Sequence, residues 1–219
     1  MQNPLGFTVQ ILHRTNPQLV GTGFVFRPEG KILTCAHVVR DASEEGEVAP
    51  GVEVQVRFRR DNIDPVYKQD HVARVVESFH REHENHYYDD VAVIELVDAP
   101  ESLIRRDKIA QLEPAYNPEN EDSSGNRFRS YGYSPAAPQF ASSYADGEIV
   151  GPIEVPQGVE VRADPLALRS ENIGRGMSGA ALLDTKRNRV VGLITHRHRS
   201  REAANGRMAF GVDAKIVLL

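Results

Sequence analysis

Apolar side chains fall in short runs along this chain, alternating with polar ones or rich in β-branched residues, with turn-forming residues between the runs. Period-two alternation marks a half-buried strand, and no stretch keeps an apolar stripe at helical spacing over three turns. The pattern predicts an all-β protein. In the first half it predicts strands at 7–13, 19–26, 31–35, 52–58, 71–78 and 91–96, enough to close a small barrel. Residues 113–126 hold two prolines, four acids, two serines and a glycine, with almost no apolar content, as a connection between lobes would. A second set follows at 128–133, 144–150, 158–162, 180–184, 189–195 and 208–212, with no sequence repeat between the halves. The expected architecture is two packed six-stranded β-barrels, residues 1–115 and 127–219, joined by 116–126, with a cleft between them.

Composition narrows the setting. In 219 residues, 31 acids against 26 lysines and arginines leave a net charge of −5, which argues against a phosphate-binding surface and nucleic acid as a partner. The single cysteine cannot form an internal disulfide and no Asn-x-Ser/Thr sequon is present, so a reducing, cytoplasmic compartment is expected. The amino terminus lacks the basic patch and apolar run of a signal peptide. No apolar stretch approaches the roughly 18 residues of a membrane helix, so no membrane association is expected.

Nucleophilic hydrolysis near neutral pH needs a hydroxyl or thiol, a base to take its proton, a carboxylate to orient that base, and N–H donors for the oxyanion. His37 ends the segment Lys31-Ile32-Leu33-Thr34-Cys35-Ala36-His37, a strand running into a short helical turn. Asp90 opens Asp90-Val91-Ala92-Val93-Ile94, where a turn enters a buried strand. Ser178 lies in Gly174-Arg175-Gly176-Met177-Ser178-Gly179, whose glycines permit positive φ and close backbone approach. Taken singly, His37 reads as a core histidine, Asp90 as a strand-entry cap and Ser178 as a turn residue. Their joint order and placement point to catalysis.

These segments resemble the chymotrypsin-like (trypsin-like) serine peptidases. Gly21-Thr22-Gly23-Phe24-Val25-Phe26 followed by Thr34-Cys35-Ala36-His37 resembles the strands leading to that family's histidine. Asp89-Asp90-Val91-Ala92 resembles the aspartate segment, and Gly176-Met177-Ser178-Gly179 the nucleophile loop. The resemblance implies a serine endopeptidase that forms an acyl-enzyme on Ser178. His37 would be its general base, Asp90 the residue fixing the imidazole, and the N–H groups of Gly176 and Ser178 its oxyanion hole. No cofactor or metal is implied, and the partner is a protein or peptide substrate. It also implies a substrate pocket floored by Asn172, lined by Ile194, Thr195, His196 and Arg197, and left open by Gly211. Asp89 is expected to be solvated.

Two departures matter. Zymogen members carry an acid just before the nucleophile, which pairs with a freed amino terminus; here that residue is Met177, a pattern closer to the bacterial HtrA-like branch. Loop 174–179 is therefore expected to be organised by other contacts, such as Met177 packing into the second barrel. The apolar Ile216-Val217-Leu218-Leu219 end suggests a regulatory partner or a fused C-terminal domain, as in a larger bacterial regulatory or defence protein. Cys35 reads as a buried, inert thiol. A zinc site at His80, His83 and His86 with His196 or His198 lacks any supporting signature. Tyr87 or Tyr88 would border the substrate cleft, and Arg197, Arg199 and Arg201 read as a solvated loop. The rival function is a catalytically silent trypsin-like module that binds protein.

Overall fold

Strand β4 (Glu53–Phe58) shows the simplest local rule: Val54, Val56 and Phe58 are buried while Glu53, Gln55 and Arg57 are only partly covered. One face packs on the core and the other meets water. Where a second layer covers the outer face the alternation disappears, as in β10 (Ala181–Asp184), which is buried throughout. The computed structural model describes residues 1–58, 69–83, 86–97, 104, 108–116, 122–133, 142–155, 157, 159–163, 165–197 and 208–218; at 81–83, 86–88, 142–143 and 196–197 only the backbone is described.

A short helix α1 (Pro4–Phe7) precedes β1 (Thr8–Leu12), β2 (Leu19–Val25) and β3 (Lys31–Thr34). Helix α2 (Ala36–Ala42) follows, then β4, β5 (His71–His83) and β6 (His86–Leu96). These six strands close in the order β1-β2-β3-β6-β5-β4. The second barrel holds β7 (Arg127–Tyr133), β8 (Ser142–Pro152), β9 (Pro165–Arg169), β10, β11 (Arg189–Arg197) and β12 (Met208–Asp213), closed as β10-β11-β12-β9-β8-β7. Taken as a ring, this is the same topology as the first, although the halves share no visible repeat. Closure leaves neither barrel an open sheet edge.

The strand expected at 158–162 is a correction. Residues 159–162 are not strand, and the ninth strand is Pro165–Arg169, with Leu166, Ala167 and Leu168 buried. The Val159/Val161 alternation imitates a strand, but the Arg162 N–H is taken by the Asp89 side chain. Proline is accommodated at the first position of the true strand, a place where a missing N–H is tolerated.

The barrels share a core. One buried cluster joins Phe24, Leu33 and Ile94 of the first to Leu183, Leu193, Val212 and Ile216 of the second. A second cluster, around Phe128, Ile149, Leu168, Val191 and Met177, fills the second barrel. The connection between barrels is stitched down. Buried Asp184 accepts from Ser123 Oγ and Asn126 Nδ2, both at 2.8 Å. Arg187 donates to Glu113 Oε2 at 2.8 Å and to the Pro114 carbonyl at 2.9 Å. No helix among the described residues is long and apolar enough to cross a membrane.

Candidate active site

Thr34 ends β3 and Cys35 caps α2 without a side-chain capping bond. That role falls to Asp90, whose Oδ1 accepts the His37 backbone N–H at 2.9 Å. A carboxylate at this first turn satisfies an otherwise unpartnered donor. The other oxygen, Oδ2, lies 2.5 Å from His37 Nδ1. Asp90 is 2% exposed, while the His37 side chain keeps 22% exposure toward solvent. One buried carboxylate thus holds both backbone and ring of His37, an arrangement that fixes Nδ1 as the donor and leaves Nε2 for chemistry.

A β-bulge aims Asp90. Phe79 pairs with Val91 and Arg81 with Tyr88, so His80 on β5 faces two residues of β6, Asp89 and Asp90. Asp89 takes the left-handed conformation, φ 52°, common at the first position of such bulges. The expectation that Asp89 is solvated is overturned: it is 3% exposed. Its oxygens accept the Arg162 N–H at 2.9 and 3.0 Å and the Ala163 N–H at 3.2 Å. The Arg162 guanidinium also stands over the Phe79 ring, 4.8 Å from its centroid. Asp90 therefore serves the first barrel and Asp89 latches the second onto it.

Ser178 is presented by two successive turns. The Met177 N–H reaches the Gly174 carbonyl at 3.2 Å with Gly176 at φ 90°, and the Ala180 N–H reaches the Met177 carbonyl at 2.9 Å with Gly179 at φ 87°. Both have the type II pattern, with glycine at the position that requires positive φ. A Cβ on Gly179 would lie 1.9 Å from the Thr22 carbonyl oxygen, so no larger residue fits there. Met177, 1% exposed, packs in the second barrel's core and against Gly132, as expected for a loop with no charged pair. Among the described residues the N–H groups of Gly176 and Ser178 have no hydrogen-bond partner.

The Ser178 hydroxyl does not bond to His37. It donates to the Thr195 carbonyl at 2.6 Å. Thr195 is the extra residue of a bulge, since Ile194 pairs with Gly211 and His196 with Phe210, and its carbonyl is thereby off the β11–β12 ladder.

The pocket residues fare unevenly. Asn172 is exposed and the neighbouring Ile173 is buried. Ile194 packs within the second core cluster and Thr195 is buried. A Cβ on Gly211 would lie 2.8 Å from the Leu193 carbonyl oxygen and 3.5 Å from a Leu168 methyl. The side chains of His196 and Arg197, like those of His83, His86, Tyr87 and Tyr88, lie outside the described residues, as do His198, Arg199 and Arg201. Beside His37 opens a cavity of about 310 Å³ whose lining includes Arg40, Glu47, Val48, Ala49 and His80.

Cys35 is fully buried, its thiol 3.4 Å from the Ile194 carbonyl. Burial, and secondarily the Asp90 carboxylate, push that thiol up well above its ordinary pKa, so it stays protonated and a poor nucleophile. Cys35, His37 and Asp90 lie close enough together to suggest a chelate. Tetrahedral zinc at its usual bond lengths would separate the nitrogen and oxygen by about 3.3 Å. The observed 2.5 Å is a hydrogen bond instead. Sequence reasoning missed the role of Asp89, whose local signal was a doubled acid.

The family model described as trypsin-like peptidase domain matches residues 21–193. Among solved structures, the inactive form of the Rv3671c protease of M. tuberculosis is similar with 20% identity and a TM-score of 0.61, over 98% of this chain and 87% of that one. Its active form gives 19% identity and 0.59, over 96% and 76%. The HtrA-type protease AlgW with a tripeptide gives 17% identity and 0.66, over 99% of this chain and 59% of that one. These are likenesses of fold. A search of curated proteins by sequence finds no match.

Proposed function

Because the chain belongs to the trypsin-like peptidase family, we propose that it is a serine endopeptidase with Ser178 as nucleophile, His37 as general base and then acid, and Asp90 holding the imidazole. The observation that carries this reading is the double grip of Asp90 on His37, ring and backbone together. Free N–H groups at Gly176 and Ser178 supply the matching oxyanion site. In the reaction the Ser178 hydroxyl turns from Thr195 to His37 Nε2 and attacks the substrate carbonyl as its proton passes to the imidazole. The imidazolium then protonates the departing amine, and water repeats the sequence to release the acyl group. No cofactor enters this scheme.

A second reading, a silent protein-binding module, is favoured by one observation: the Ser178 hydroxyl is engaged by Thr195. A fluorophosphonate probe separates the two. Labelling of the wild type that is lost in Ser178→Ala supports the peptidase; a folded wild type that stays unlabelled supports the silent module. Further parts of the proposal are control by a regulatory partner or fused module, for which Met177 leaves room by making terminal cleavage unnecessary, and residence in the cytoplasm, which suits a lone buried thiol.

A further inference from the structure

The loop that carries Ser178 has none of the charged anchoring that an acid at position 177 could offer, yet it is held at two points by one residue of the other barrel. Thr22, on β2 and fully buried, donates its backbone N–H to the Ser178 carbonyl at 2.9 Å and its hydroxyl to the Gly176 carbonyl at 2.7 Å. The hydroxyl also accepts the Tyr133 N–H of β7 at 3.1 Å, and the Thr22 carbonyl accepts Thr34 Oγ1 from β3 at 2.7 Å. Every polar group of Thr22 is used, and its contacts tie β3, the nucleophile loop and β7 together. The Gly176 carbonyl belongs to the 176–177 peptide, which lies between the two peptides that carry the free Gly176 and Ser178 N–H groups, and the Ser178 carbonyl belongs to the 178–179 peptide just beyond, so the neighbours of both N–H groups are held from outside their own barrel.

We propose that Thr22 is the positioning residue of the oxyanion site: its hydroxyl fixes the 176–177 peptide and thereby constrains the peptides on either side of it, which carry the Gly176 and Ser178 N–H groups. This rests on the reading of Ser178 as nucleophile.

The test compares Thr22→Val, which keeps shape but loses the hydroxyl, with Thr22→Ser, which keeps it, and Thr22→Cys, a small weak donor that stands in if the valine variant does not fold. Turnover is read on fluorescently labelled casein. Affinity is read for a peptide aldehyde chosen on the wild type, whose adduct places an oxyanion, and for the matching peptide acid. The expected result is a fall in kcat of about 10- to 100-fold for Val, less for Cys, and recovery to within about threefold for Ser. Aldehyde affinity should fall in parallel while KM and the affinity of the acid hold, as for an interaction made only in the transition state. If Val or Cys turns over like the wild type, if Ser is as slow as Val, or if acid and aldehyde weaken together, the proposal is wrong. A wild type without Ser178-dependent turnover would overturn the peptidase reading and this inference with it, an outcome distinct from turnover that ignores Thr22.

Discussion

Replacing Asp89 with alanine should destabilise the protein by about 2–5 kcal/mol, a large share of a typical domain's stability. Three effects enter. The Ala163 N–H sits beside a buried residue and loses its acceptor, at about 1–3 kcal/mol; the Arg162 N–H belongs to an exposed residue that can turn to water, and costs less. Alanine at φ 52° adds about 1–2 kcal/mol of left-handed strain. Relief from burying the carboxylate offsets part of this. Glycine also removes the acceptor but accepts the backbone angle, while asparagine tolerates the angle and keeps one acceptor oxygen. The expected stability order is therefore wild type, Asn, Gly, Ala. Urea unfolding followed by far-ultraviolet circular dichroism measures it, since the chain has no tryptophan to report by fluorescence. Asp89→Ala within about 0.5 kcal/mol of wild type, or more stable than Asp89→Gly, would refute the latch.

Ser178→Ala should remove nearly all peptidase activity, leaving at most roughly 10³–10⁴ over water from the oxyanion site and binding, with stability almost unchanged; labelled-casein turnover and a melting curve check both. Gly179→Ala should abolish activity and strongly lower the melting temperature, because its Cβ would lie 1.9 Å from the Thr22 carbonyl oxygen. The Asp213 carboxyl is raised by burial, only partly opposed by N–H donors from Lys215, Ala115 and Tyr116. The folded state thus binds this proton more tightly than the unfolded state. Its contribution is fully present below the ordinary value of 3.8 and is lost as pH climbs through the raised folded value. Asp213→Asn should therefore lose stability relative to wild type as pH is lowered through that window, as urea titrations at several pH values would show. An amino-terminal extension should leave turnover unchanged, because Met177 is anchored by packing; activity that appears only after cleavage near Gly6 would contradict this.

The sequence by itself determined what is local. Alternating runs encode strands because each strand's two faces meet different surroundings, and the glycines at 176 and 179 encode turns because only glycine takes their φ without strain. Order and spacing placed His37, Asp90 and Ser178 on three separate segments of the right kind. Barrel closure decided the rest. The bulge opposite His80 breaks the period of two between adjacent acids, so the alternation could not tell that Asp89 turns to the second barrel while Asp90 turns to His37. The false strand at 159–162 has the same origin: what faces a segment across the molecule, not its own pattern, decides whether its N–H groups join a ladder. The grip of Thr22 on a loop more than 150 positions away along the chain arises only when the two barrels pack, and the Thr195 carbonyl freed by a bulge to hold Ser178 only when the second barrel closes. Neighbouring residues fix φ, ψ and periodicity, whereas register, bulges and cross-barrel hydrogen bonds are properties of the closed sheets.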